Sequence, residues 1–164
     1  MKKQRPQLES LASSILAALV LITTAPVVAN TPNFGSFKLS PGFTPEKAVF
    51  TGFTGGSYSL SAISNRDRNR KACIGFADPK PDHIMVLEKD FAQMRIQVNT
   101  GGKDTTILVQ GPDDDTIRCG DDTGKNKDAS VEDKRWKAGT YKIWVGTFNP
   151  GVKQNYSLSV QQGK

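Results

Sequence analysis

Long apolar runs, histidine and cysteine are all scarce in this 164-residue chain, and each scarcity closes off a class of function. The longest uninterrupted apolar stretch covers only residues 15–22. A bilayer-crossing helix needs about 20 such residues, so no membrane anchor is expected. Cys73 and Cys119 are the only cysteines, they form no Cys-x-x-Cys pair, and His83 is the only histidine. A zinc cage cannot be assembled from that set. A hydrolase of the Ser/His/Asp kind would depend on His83 as its one candidate base. Its nearest approach to a nucleophile elbow, Gly55-Gly56-Ser57-Tyr58-Ser59, lacks the second glycine and any strand-to-helix context. No catalytic residue is therefore assigned. A small secreted hydrolase using His83 is the alternative to a non-enzymatic reading.

What the chain does have begins at its N-terminus. Lys2, Lys3 and Arg5 precede the apolar stretch, which ends at Thr23, Thr24, Ala25 and Pro26. That order of charge, hydrophobe and breaker is the pattern of a secretory signal peptide. Small side chains around Val27, Val28 and Ala29 place the cut after Ala29, with Asn30 as the mature N-terminus. Removing residues 1–29 takes away three basic residues and one acidic residue, which lowers the formal charge from +6 to +4. Export to a periplasm or the extracellular space follows. It makes nucleic acid an unsuitable partner and favours a Cys73–Cys119 disulfide.

The mature part reads as all-β. Residues 30–56 carry too much proline and glycine for a helix, yet Phe34, Phe37, Phe43, Phe50 and Phe53 mark an ordered strand-and-turn segment that packs its rings on the domain. Beyond it, residues 57–164 form the main sandwich domain, and 30–164 fold as one unit. Strands are expected at 58–63, 84–87, 94–98, 106–109, 141–145 and 156–160, where apolar residues alternate or run briefly between turn signals. The turns at 99–102, 111–113, 138–140 and 149–151 contain glycine or proline. An antiparallel β-sandwich of jelly-roll type accommodates this many short strands without a crossover helix.

The second half contains an Asp opening a strand (Asp104), an acidic loop, an Ala-Gly-Thr-Tyr turn at 138–141 leading to Val145-Gly146, and a closing Tyr156-x-Leu158-x-Val160 strand. On these features residues 83–161 resemble the bacterial pre-peptidase C-terminal domain, a β-sandwich module appended to secreted proteases and other exported proteins. The resemblance implies secretion, a sandwich fold, and a supporting or binding role. Some members of that family bind calcium or an extracellular polymer. The family's usual company also suggests a partner or regulator of a separate secreted protease.

Five aspartates are the candidate calcium ligands: Asp104, Asp113, Asp115, Asp121 and Asp122. Calcium takes six to eight oxygens, which clustered carboxylates and loop carbonyls supply. The competing reading is a solvated turn whose aspartates cap backbone amides, neutralised by Arg118, Lys125 and Lys127. The spacing is not that of an EF-hand. A basic run of Arg66, Arg68, Arg70 and Lys71 could grip an anionic surface or form a solvated loop. Trp144 alternates with Ile143 and Val145, so it either faces solvent as a stacking platform or lies under a loop. Together these features point to a non-catalytic exported module that recognises an extracellular polysaccharide or protein surface, with calcium as a candidate stabiliser.

Overall fold

A computed structural model describes residues 31–163. The signal segment expected at 1–29 and its cleavage point lie outside these residues. In chain order the strands are β1 (Ser36–Leu39), β2 (Val49–Phe53), β3 (Tyr58–Ser59), β4 (Phe76–Ala77), β5 (His83–Leu87) and β6 (Phe91–Asn99). They continue with β7 (Thr105–Gln110), β8 (Ile117–Gly120), β9 (Ser130–Trp136), β10 (Gly139–Thr147) and β11 (Asn155–Gln162). The helical content among the described residues is two single 3-10 turns, at Pro45–Lys47 and Leu60–Ala62.

Two sheets pack face to face. One runs β2-β11-β6-β9, and the other has β5-β10-β7-β8 as its spine. The order β2-β11-β6-β9 against β5-β10-β7-β8 is that of the two Greek keys of a jelly roll, and β1, β3 and β4 extend the second sheet to seven strands. The expected sandwich is thus present, with one correction. The second sheet is mixed, because β1 lies parallel to β5. The chain can make that parallel pairing because β2, β3 and β4 intervene before it returns as β5, a connection long enough for a crossover.

The main core is the space between the sheets, filled by alternate residues such as Met85, Ile107, Val109, Ile143 and Val145 from one side and Met94, Ile96, Val98, Leu158 and Val160 from the other. Period-two alternation puts every second residue inward. It breaks at one level of the β6-β9 pair. Phe91 and Met94 are both buried though three apart, and Val131 and Trp136 are both buried though five apart. Arg135, with φ of +57°, marks the kink on β9.

A second, smaller core lies on the outer face of the mixed sheet. Leu108 and Trp144 point outward there and are covered by Leu60, Ala77 and the Cys73–Cys119 disulfide. The disulfide is formed, with Cα atoms 5.3 Å apart. This core explains why the strand expected over 58–63 stops after Ser59. Leu60 and Ile63 are three apart and both pack inward, which a 3-10 turn permits and a strand forbids. Strands β8 and β9 carry no recognisable alternation. Both faces of β8 are buried, and β9 is an edge strand dominated by Glu132, Asp133, Lys134 and Arg135.

Candidate functional site

The β7-β8 hairpin sorts the acidic residues into two groups. Its register pairs Ile107 with Gly120, so the residues just before β7 and just after β8 are neighbours. Carboxylate oxygens of Asp104, Asp121 and Asp122 lie within 4.8 Å of one another. Asp113 and Asp115 sit instead in the exposed turn at the other end of the hairpin, roughly 20 Å away at about 3.3 Å per strand residue. The five candidate ligands therefore do not converge. Asp113 caps its own turn: the Thr116 hydroxyl and nearby backbone amides hold its carboxyl below the usual range.

Within the trio, burial first, and then the charges of Asp122 and Asp104, raise the Asp121 carboxyl above its ordinary value. Its Oδ1 is buried with no hydrogen-bond partner, while its carbonyl accepts the Ser130 N–H at 3.1 Å. Lys127 approaches from outside, with Nζ 3.0 Å from Asp104. Asp128, close by in sequence, does a different job. It accepts the N–H groups of Thr100 and Gly102 at 2.9 and 3.0 Å, and so clamps the 99–103 loop against the 123–128 turn.

The basic run is only partly outward-facing in function. Asp67 is buried and accepts the N–H groups of Asn69 and Lys71, both at 2.8 Å, and of Cys119 at 3.3 Å. It ties this turn to β8 beside the disulfide. Arg66 donates to the Arg70 carbonyl at 2.9 Å, closing its own loop, and Arg68 reaches Asp133 at 3.5 Å. Arg70 holds a φ of +67° and Lys71 is exposed. Asp133 also takes the Nε–H of the buried Arg118 at 2.8 Å, and that guanidinium lies 4.0 Å from the Trp136 ring centre.

Trp144 is 5% exposed and donates to the Pro79 carbonyl at 3.4 Å. It lies under the 60–79 loop, the second of the two placements the sequence left open, and offers no stacking platform at the surface. His83 is likewise in the core. Its Nε2 is 2.9 Å from the Tyr156 hydroxyl, and the rings of Phe34, Phe37 and Phe50 surround it. Burial pushes its pKa down to about 4. An imidazole that resists protonation this strongly is a poor general base near neutral pH.

Three aromatic rings among the described residues face solvent, Phe148 at 52%, Phe53 at 49% and Tyr58 at 37% exposure, and of these Phe53 is the one that lines the grooves on this side of the molecule. Inward Phe50 and Gly52 alternate on β2 with outward Val49, Thr51 and Phe53, so the strand periodicity carries this signal. From sequence alone Phe34, Phe37, Phe43, Phe50 and Phe53 all read as packing residues. Phe53 meets Phe34 edge to face at a centroid distance of 4.8 Å. Three grooves of about 620, 480 and 360 Å3 share Phe53 in their walls. The largest of the three is bordered also by Phe34, Gly52 and Tyr156 and by the uncharged hydrogen-bonding side chains of Thr51, Asn99, Thr100, Asn155 and Ser157. The smallest has Asn33, Asp78, Asp82 and Lys153 at its walls.

Asp82 is placed by a gap in the mixed sheet. Strand β5 covers β10 as far as Ile143, and β4 rejoins it only at Thr147. The Val145 N–H between them would be orphaned, and the Asp82 carboxylate accepts it at 2.7 Å. Burial dominates its environment and raises its pKa to about 7. Compared with known proteins, the chain matches no family model and no curated sequence. No helix among the described residues is long and apolar enough to cross a membrane.

Proposed function

We propose that the chain is a non-catalytic, exported binding module that holds a polysaccharide chain against Phe53. The observation that carries this reading is the meeting of three grooves at one half-exposed ring, flanked by amide and hydroxyl side chains. A sugar presents apolar C–H faces and a rim of hydroxyls. An exposed aromatic face takes the first, and Asn, Thr and Ser side chains take the second. The jelly roll holds these groups on strand ends and short loops, a stiff platform that needs little ordering on binding. The resemblance of residues 83–161 to an exported non-catalytic module agrees with such a role.

Calcium at Asp104, Asp121 and Asp122 belongs to the same reading. These residues lie where the 99–104 and 121–128 loops meet, and Thr100, in the wall of the groove of about 620 Å3, is hydrogen-bonded to Asp128 of the second loop. A bound cation would supply the partner that Asp121 Oδ1 lacks and would stiffen the groove wall. Co-sedimentation with insoluble polysaccharides tests the function. Wild-type protein is expected in the pellet with at least one of them, and Phe53→Ala, which alters an exposed side chain, is expected in the supernatant while keeping its thermal midpoint. Equal retention of both proteins would reject the Phe53 site.

A further inference from the structure

Two carboxylates border the smallest groove, and neither forms an ion pair among the described residues. Asp82 is 2% exposed, accepts the Asn33 amide at 3.3 Å in addition to the Val145 N–H, and forms no ion pair among the described residues. Asp78, half-buried, accepts the Lys80 N–H at 2.8 Å and also lacks an ion pair among these residues. The two are near enough for the charge of Asp78 to act on Asp82. The Phe34 and Phe53 rings line the same space, of about 360 Å3. That size lies within the range of small-ligand pockets, roughly 300–1,000 Å3.

Paired carboxylates beside aromatic faces suit an ammonium group, because the carboxylates supply counter-charge and the ring faces are negative. The molecule supplies an internal example at the rim, where Lys153 Nζ stands 5.8 Å from the Phe53 ring centre. We infer that the groove between Phe34, Phe53, Asp78 and Asp82 binds a protonated amine of the ligand, and that the polysaccharide is an amino-sugar polymer with unacetylated amines. This rests on the polysaccharide reading above and narrows it. Burial holds Asp82 against ionisation, and a bound cation relieves that cost. Lys153 competes for the same ring.

Isothermal titration with hexamers of glucosamine, N-acetylglucosamine and glucose separates the two readings, at one pH where the free amine is protonated. The glucosamine hexamer is expected to bind about tenfold or more tightly than the other two, the size of one charged hydrogen bond. Asp78→Asn is expected to abolish that preference, so that the glucosamine hexamer binds no more tightly than the two neutral ones. Lys153→Met is expected to strengthen glucosamine binding. Equal affinity for all three hexamers overturns the amine inference and leaves the polysaccharide reading standing. Absence of binding to all three overturns both. Tighter binding of oligolysine than of the glucosamine hexamer assigns the site to a basic polypeptide and also overturns the inference. A preference that survives in both Asp78→Asn and Asp82→Asn overturns the assignment of the groove.

Discussion

Asp82 and His83 are neighbours in sequence, and folding moves their proton affinities in opposite directions. Burial raises Asp82 from 3.8 to about 7 and lowers His83 from 6.5 to about 4, worth on the order of 4 and 3 kcal/mol respectively. Neutral His83 favours the fold fully above pH 6.5, and that contribution is lost as pH falls towards 4. Ionised Asp82 opposes the fold fully above pH 7, and that opposition is relieved over nearly the same descent. Between pH 4 and 6.5 the folded pair keeps its proton on Asp82 and the unfolded pair keeps it on His83, so the two slopes cancel. Thermal midpoints measured across this window, relative to wild type, should expose each half. Asp82→Asn should lose stability as pH falls from 6.5 to 4, and His83→Gln should gain stability as pH falls from 7 to 4. Curves that parallel the wild type would refute the assignment.

Asp121 offers a second test on the residue scale. Calcium at a hundredfold excess over its dissociation constant should stabilise the protein by about 2.7 kcal/mol. That gain should vanish in Asp121→Asn and persist in Asp113→Asn, whose carboxylate stands at the far end of the hairpin. Loss in both variants would contradict the sorting of the acidic residues. The sequence showed the aspartates and not this division, because the division depends on the hairpin register and on where β8 ends.

Among the elements, β2 depends on a residue with no side chain. A Cβ at Gly52 would stand 2.5 Å from the Tyr156 hydroxyl oxygen and 2.8 Å from the Phe34 ring. Gly52→Ala should therefore displace Tyr156 from His83 and cost about 1–3 kcal/mol in denaturant unfolding. The Cys73–Cys119 bridge joins residues 46 apart and pins the loop over Trp144. Replacing both cysteines with serine should cost about 4 kcal/mol on chain-entropy grounds, and should red-shift the emission of Trp144 as its cover loosens. An unshifted spectrum would show that the second core stands without the bridge. This core is also where the sequence was least legible. Alternation around Ile143, Trp144 and Val145 assigns Trp144 to the outer face correctly. It cannot reveal that the 60–79 loop folds back over that face, because the loop's apolar residues, Leu60, Ile63 and Ala77, are too few and too irregularly spaced to advertise a packing surface.

For the molecule as a whole, strand alternation and turn residues were enough to indicate a jelly-roll sandwich, because the inward residues of β6 and β11 are apolar or aromatic throughout and those of β5 depart from this only at His83. The parallel β1 was hidden, since pairing direction follows from chain return and leaves no mark on a four-residue strand. The groove at Phe53 was hidden for a related reason: Phe34, Phe37, Phe43, Phe50 and Phe53 look alike in sequence, and only the β2 register separates the outward ring from those that pack. The central claim is that this outward ring and the amide side chains around it form the ligand surface. Titrating a soluble oligosaccharide that the protein binds into the isotope-labelled protein, and following backbone amide shifts, measures this directly. The account predicts the largest shifts at Thr51, Phe53, Asn99, Thr100 and Asn155. Shifts centred on Arg66, Arg68, Arg70 and Lys71 instead, with β2 unmoved, would contradict it.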